Sequence, residues 1–211
     1  MTTIVAYYQN KVGYSIAADG QVTGDQGVIV NRSTNKIFPI RNMHIAVSGN
    51  MSKVASVEEW AILQDEFVNG YTVADTTSAL DLLRSLREHF KEVGVELNSD
   101  NDEDYVELLI ASEHGVWVSS IEGAVVKARE LTGGVSFAVI GTGARVAQCI
   151  PFFAVGAILS GNLSLERCAV DAVLAVSEVD AYTGGKTHFA TVMFDELAHQ
   201  EEATLSSSSV H

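Results

Sequence analysis

The chain has 211 residues, with 27 acidic and 13 basic side chains and a formal net charge of −14. A typical domain of about 150 residues makes one domain the simplest count, with ample length for a core. At 47% hydrophobic and 19% charged residues the composition excludes an intrinsically disordered chain. The acidic surplus argues against nucleic acid or an anionic membrane as partner, because both need a basic footprint.

The first 50 residues carry strand patterns. Segments 3–8 and 12–18 are rich in β-branched and aromatic residues and flank a polar Gln9-Asn10-Lys11 turn. Segments 28–30, 36–40 and 44–47 continue the pattern, and Ser48-Gly49-Asn50 stops it. Two helices are expected next. Ser52 is the expected N-cap of the first, with Val54, Val57, Ala61 and Phe67 at helical spacing. After Asn69-Gly70-Tyr71, Leu80, Leu83, Leu86, Phe90 and Val93 mark one face of the second, and Gly94 ends it. An acidic loop over 98–104 leads to strands at 105–111, 116–121, 124–128 and 136–140. Gly141-Thr142-Gly143 opens a helix to about Leu159, Ser164 and Glu166 start another to about Glu178, and 187–194 is a last strand. From about Ala198 a Ser-rich acidic tail is expected to be disordered, which leaves a domain over 1–197. Strand runs alternating with helix pairs predict two antiparallel sheets covered by helix layers, not a parallel βαβ sheet.

Several chemistries are excluded by the pattern. Residues 139–147 resemble a dinucleotide fingerprint, but Val146 occupies the third glycine position and no acidic residue follows about 20 further on. Asp100-Asn101-Asp102-Glu103-Asp104 begins like a calcium loop, yet Tyr105 stands at the sixth position and Ala111 at the twelfth. The six histidines are scattered and no Gly-x-Ser-x-Gly elbow occurs, so a Ser-His-Asp enzyme has no support. Cys149 and Cys168 form no CxxC and are expected as reduced core residues. The N-terminus has no basic n-region or apolar h-region, so no signal peptide is expected. Residues 146–165 carry no charge, but Pro151, Gly156 and Gly161 interrupt them, and a buried helix ending at Ser160-Gly161-Asn162 is expected rather than a membrane span. The protein is expected to be cytoplasmic.

The N-terminus offers another chemistry. Removal of Met1 would leave Thr2 with a hydroxyl and a free α-amine. An alcohol nucleophile needs an adjacent base, and an α-amine of reference pKa ~7.7–8.0 can serve. Many chains begin Met-Thr, so this alone identifies nothing.

The opening Thr2-Thr3-Ile4-Val5, then Ala18-Asp19-Gly20-Gln21-Val22-Thr23, then Asn35-Lys36-Ile37, resembles the bacterial HslV peptidase and proteasome β-subunits. Asp180-Ala181-Tyr182-Thr183-Gly184-Gly185 is similar to the β-type Asp-Ala-Tyr-Ser-Gly-Gly. Ser48-Gly49 and Gly141-Thr142-Gly143 fall where that family has a glycine turn and a Gly-Ser-Gly. The likeness spans about residues 2–195 and mixes HslV-like and β-like features, as in a bacterial proteasome-homologue group.

The resemblance implies an α+β fold, a four-layer αββα sandwich of the N-terminal-nucleophile hydrolase type. It implies a threonine-type endopeptidase subunit of a double-ring chamber of six or seven subunits per ring, acting on peptides or unfolded proteins. An ATP-dependent unfoldase partner is implied with it. Thr2 would be the nucleophile, Lys36 a cation that lowers its pKa, Asp19 the partner of Lys36, and the Gly49 N–H the oxyanion hole. Thr142, Asp180 and Thr183 would hold the amine and a water. The family has serine at the positions of Thr142 and Thr183, and both replacements keep the hydroxyl. No cofactor is implied for the chemistry. A structural Na+ or Mg2+ would sit on the backbone carbonyls of Ser177, Asp180 and Thr183. Val22, Thr34, Phe38, Val47 and Met51 would approach the substrate pocket, which points to cleavage after apolar residues, or they are simply strand core. Thr23 would pair its backbone with an extended substrate. With nothing but Met1 ahead of Thr2, no long propeptide is expected. Two alternatives stay open: a catalytically silent ring subunit, and a non-proteolytic amide hydrolase on the same fold.

Ten of the 27 carboxylates fall in the basic-free stretches 96–107 and 195–202, leaving 17 acidic against 13 basic elsewhere. The surplus is therefore local. These segments are expected on a ring surface or chamber entrance.

Overall fold

The computed structural model describes residues 2–23, 28–49, 51–66, 72–95, 106–120 and 123–194. Phe67, the 69–71 turn, the 98–104 loop and the tail beyond Phe194 lie outside the described residues.

The elements in chain order are strands β1 (Thr3–Gln9), β2 (Gly13–Ala18), β3 (Val22–Thr23), β4 (Ile29–Asn31), β5 (Ile37–Ile40) and β6 (Met43–Ser48), then helices α1 (Met51–Glu66) and α2 (Thr76–Glu92). There follow β7 (Glu107–Ser112), β8 (Gly115–Ser120), β9 (Val126–Lys127), β10 (Glu130–Thr132) and β11 (Val135–Gly141). Helices α3 (Ala144–Ala147), α4 (Pro151–Leu159) and α5 (Leu165–Ser177) and strand β12 (His188–Met193) complete the chain.

The first sheet runs β10-β11-β1-β2-β12 and the second β5-β6-β7-β8-β9, both antiparallel, with β3 and β4 paired apart from them. Strand alternation sorts the core into three apolar layers. On β1, Ile4, Ala6 and Tyr8 face the second sheet and meet Ala46, Leu109 and Ala111. Val5 and Tyr7, on the opposite face, pack under α5 with Ala169, Ala172 and Val176. On the second sheet, Ile45, Val47, Leu108 and Ile110 turn outward beneath Val57 and Trp60 of α1 and Leu82, Leu86 and Phe90 of α2. The result is the αββα sandwich expected from the sequence. Each of these large side chains contributes roughly 1.5–3 kcal/mol on burial.

Helix α2 starts on a capping box in which the Asp75 carboxylate accepts from the Ser78 N–H, and Ser78 Oγ accepts from the Asp75 N–H. Gly94, at φ +72°, follows it. Ser164 caps α5 by accepting from the Arg167 N–H at 3.1 Å. Four expectations are corrected. Helix α1 begins at Met51, so Ser52 lies inside it rather than capping it. The single helix from Gly143 to Leu159 is two, α3 and α4, because Pro151 lacks the N–H a continuous helix needs and its ring crowds the carbonyl four residues back, while it suits the first turn of α4. Cys149, in the turn between them, is exposed; only Cys168 is a core cysteine. Helix α4 is likewise only partly buried, with Val155 and Ile158 inward and Leu159 exposed. Among the described residues, no helix is long and apolar enough to cross a membrane.

Candidate active site

Strand β1 is central in its sheet, and its N-terminal end is fixed on both sides, with Thr3 opposite Gly141 of β11 and Ile4 opposite Ala18 of β2. Thr2, just ahead of it, is buried. Successive strand residues point to opposite sides. Accordingly Thr2 meets Lys36, which leads into β5 of the second sheet, while Thr3 meets Thr183 in the loop after α5.

Lys36 Nζ donates to Thr2 Oγ1 at 2.5 Å, to Asp19 Oδ1 at 3.1 Å and to the Gln21 carbonyl at 2.8 Å. Three acceptors match the three N–H bonds of an ammonium. The lysine and aspartate side chains are only 2% and 1% exposed, so each charge depends on the other. Burial pushes the Lys36 pKa below its usual value, and the Asp19 carboxylate works against that shift. Asp19 is held in turn by backbone: Oδ1 also accepts from the Thr3 N–H at 2.8 Å, and Oδ2 from the Gln21 and Gly184 N–H groups at 3.1 and 3.2 Å.

The other flank of Thr2 is a hydroxyl network. Thr183 Oγ1 donates to Asp180 Oδ2 at 2.7 Å, so its own oxygen is left to accept from Thr3 Oγ1 at 2.5 Å. Thr142 Oγ1 lies 3.2 Å from Asp180 Oδ2 and 3.4 Å from the Thr2 carbonyl, and its single proton serves one at a time. The Tyr182 N–H donates to Asp180 Oδ1 at 3.1 Å and the Thr183 N–H to the Asp180 carbonyl at 3.1 Å, which folds the loop into a tight turn. Gly141, at φ +91°, ends β11 where a Cβ would run into the Thr2 carbonyl, so only glycine fits there. Gly49, at φ +152°, carries the chain from β6 towards α1.

The structure thus brings Thr2, Asp19 and Lys36 together on one flank and Thr142, Asp180 and Thr183 on the other. Val22 and Thr23 form β3, which pairs with β4 on one edge, and both are half-buried. Thr34 donates its N–H to the Gly20 carbonyl at 3.0 Å. Phe38 and Val47 are buried in the layer beneath α1 and α2, and Met51 is exposed at the start of α1. Ser177 is the last residue of α5, with its hydroxyl turned back onto the Leu174 carbonyl at 2.7 Å.

Three site residues escape sequence reasoning. Thr3 supplies a hydroxyl and an N–H, as strand alternation beside Thr2 could have suggested. Gln21 accepts from Lys36 through its carbonyl and reaches the Ala181 carbonyl with Nε2 at 3.0 Å. Glu107, first residue of β7, accepts from the Gly141 N–H at 2.6 Å.

No protein-family model matches the sequence, and no curated protein does either. Solved structures do match. The BPH of Thiobacillus denitrificans, solved alone and in complex with epoxomicin, superposes with a TM-score of 0.72 at 16% identity, over 92% of this chain and 99% of that one. Eukaryotic HslV from Trypanosoma brucei superposes with a TM-score of 0.60 at 16% identity, over 90% of this chain and 99% of that one. This chain therefore shares the HslV-like, proteasome-like fold.

Proposed function

We propose that the chain is a threonine-type endopeptidase subunit of a self-compartmentalising double-ring protease, with Thr2 as nucleophile once Met1 is removed. The carrying observation is the 2.5 Å contact of Thr2 Oγ1 with Lys36, itself paired with buried Asp19. A lysine cation at this distance stabilises the alkoxide that develops on Thr2 Oγ1. Thr2 Oγ1 attacks the scissile carbonyl carbon, and its proton passes to the Thr2 α-amine through a water. The Gly49 N–H, near the positive end of α1, receives the oxyanion. On collapse the C–N bond breaks and the leaving amine takes the proton from the α-ammonium, leaving an ester on Thr2. Water then attacks the ester with the same amine as base, releasing the acid and restoring Thr2. Thr142, Asp180 and Thr183 hold the amine and the water.

An extended substrate adds along β3 through the Thr23 backbone, in keeping with the single partner strand of β3 among the described strands. In this reading Val22, Thr34, Phe38, Val47 and Met51 are the residues that meet the substrate side chain, and because four of the five are apolar, cleavage follows apolar residues. The Ser177 carbonyl is at the negative end of α5, those of Asp180 and Thr183 belong to the turn that follows, and such hard oxygen donors suit a structural Na+ or Mg2+. An ATP-dependent unfoldase feeds the chamber, in the cytoplasm.

The test combines intact mass with a fluorogenic peptide ending in an apolar residue. The wild type is expected to lack Met1, to hydrolyse the peptide and to gain the mass of epoxomicin when treated with it. Thr2→Ala is expected to assemble but to lose all hydrolysis. Residual activity in a clean Thr2→Ala preparation would remove Thr2 as the nucleophile. Retained Met1 without activity would point to a silent subunit. Hydrolysis of small amides by a protein that native mass shows to form no closed ring would point to the open amide hydrolase.

A further inference from the structure

Glu107 is the first residue of β7, half-buried, and lies opposite Ser48 of β6, the residue before Gly49. Strand alternation sends its side chain the way of Leu109 and Ala111, into the layer between the sheets. There its Oε2 accepts from the Gly141 N–H at 2.6 Å, a bond from the second sheet to the first. A carboxylate acceptor at this distance makes a charge-assisted bond, stronger than a neutral one.

Gly141 is the hinge of the second flank of the site. It pairs with Thr3, its φ is +91°, and a Cβ on it would collide with the Thr2 carbonyl. The next residue, Thr142, carries the hydroxyl that reaches the Thr2 carbonyl and Asp180. Both of those contacts are long, at 3.4 and 3.2 Å. Small movements of the turn would therefore break or shorten them. Losing the Glu107 carboxylate would leave the Gly141 N–H unpaired between the sheets and free the turn to shift.

We propose that Glu107 is a positioning residue: its carboxylate clamps the Gly141–Thr142 turn across the two sheets and so sets the Thr142 hydroxyl against Thr2 and Asp180. It touches neither substrate nor nucleophile and acts through Thr142. The clamp requires an acceptor oxygen at the end of a side chain of this length; the negative charge strengthens the bond without being essential to the geometry. The catalytic part of this role presupposes the peptidase activity proposed above; the clamp itself does not.

Two measurements test it on the full chain: peptide hydrolysis per epoxomicin-titrated site, and hydrogen exchange of the Gly141 amide. Glu107→Ala is expected to lower kcat about 10- to 100-fold with KM changed less than about twofold, since the loss is one of geometry at the reacting centre. Its Gly141 amide is expected to exchange faster. Glu107→Gln, whose amide oxygen still accepts, is expected to keep kcat within about threefold and to keep the amide protected. A Glu107→Ala protein with full kcat per titrated site overturns the catalytic part, and a Glu107→Gln protein as impaired as Ala overturns the acceptor role. Should the Ala variant fail to fold, Glu107→Asp serves, because its retracted carboxylate is expected to lower kcat without raising KM; an unchanged kcat would count against the role. If the wild type proves inactive, the peptidase function fails, and unchanged Gly141 exchange in Glu107→Ala would still overturn the clamp on its own.

Discussion

The two flanks of Thr2 are built on different physics. On one, Lys36 and Asp19 are a buried ion pair, almost without exposure, and every acceptor of Asp19 is spoken for by backbone or by Lys36. On the other, Thr183 is buried but Thr142 is exposed and Asp180 half-buried, and the links are hydroxyls that can rotate. A buried charge that loses its partner cannot turn to water, whereas a half-exposed hydroxyl can. The first flank should therefore fail abruptly on substitution and the second gradually.

The largest effect is expected at Lys36. Lys36→Met removes the donor to Thr2 and leaves Asp19 charged and uncompensated, which costs about 3–5 kcal/mol of stability. Peptide hydrolysis should fall about 1,000-fold, a loss typical of removing a charge stabiliser at a reacting oxygen. Denaturant unfolding beside the peptide assay separates the two losses. Asp19→Asn sharpens the point through pH. Burial already lowers the Lys36 pKa and the Asp19 charge opposes that shift. Removing the charge lowers the pKa further, so the alkaline limb of kcat/KM should move to lower pH. An alkaline limb that stays in place would mean that Lys36 is not the group losing its proton there.

A smaller loss is expected at Asp180, on the second flank. Asp180→Asn keeps an acceptor for the Tyr182 N–H but offers a donor where two threonine hydroxyls now donate. Thr183 must then reverse its bond to Thr3 or turn away. Hydrolysis should fall about tenfold to 100-fold, with a stability change of about 1 kcal/mol because the site is half-open to water. A loss as large as that of Lys36→Met would erase the distinction between the flanks.

The difference also explains what the sequence made legible. The near-continuous apolar runs of β1, β2, β6 and β7, which suit strands covered on both faces, and the helical spacing of Leu83, Leu86 and Phe90 encode the layers locally, so sheets covered by helices are legible in them. Asp19 and Lys36 were visible as motif residues in order along the chain. The resemblance also implies their pairing, but their burial follows only from the folding of β1, β2 and β5 around them, which no local pattern shows. Short β10 lacks the length for a pattern, whereas the break before α4 is encoded by Pro151, which fits the first turn of a helix and not its interior, although the uncharged run around it reads as one helix. Glu107 was invisible for a different reason. Its partner is a backbone N–H, brought to it only by stacking one sheet on the other, and it closes an acidic stretch, 96–107, whose charge points to a ring surface or chamber entrance rather than to the layer between the sheets. Gln21 is similar, because its contacts depend on the loop after α5 returning beside β3.

The mildest test falls on Thr142, where the second flank touches Thr2 most weakly. Its hydroxyl is 3.4 Å from the Thr2 carbonyl and its side chain is exposed, so little packing depends on its methyl. Thr142→Ser keeps the hydroxyl and should hold kcat within about threefold, with stability changed by less than about 0.5 kcal/mol. Thr142→Val keeps the shape but removes the only proton the residue can donate to Asp180 or Thr2, and kcat should fall about tenfold. The ratio between the two variants isolates the hydroxyl from the methyl, which a single substitution cannot do. If Val matches Ser, the flank is held by the Gly141 turn alone and the hydroxyl is incidental; if Ser falls with Val, the methyl fixes the rotamer and the tolerance assigned to this flank is wrong.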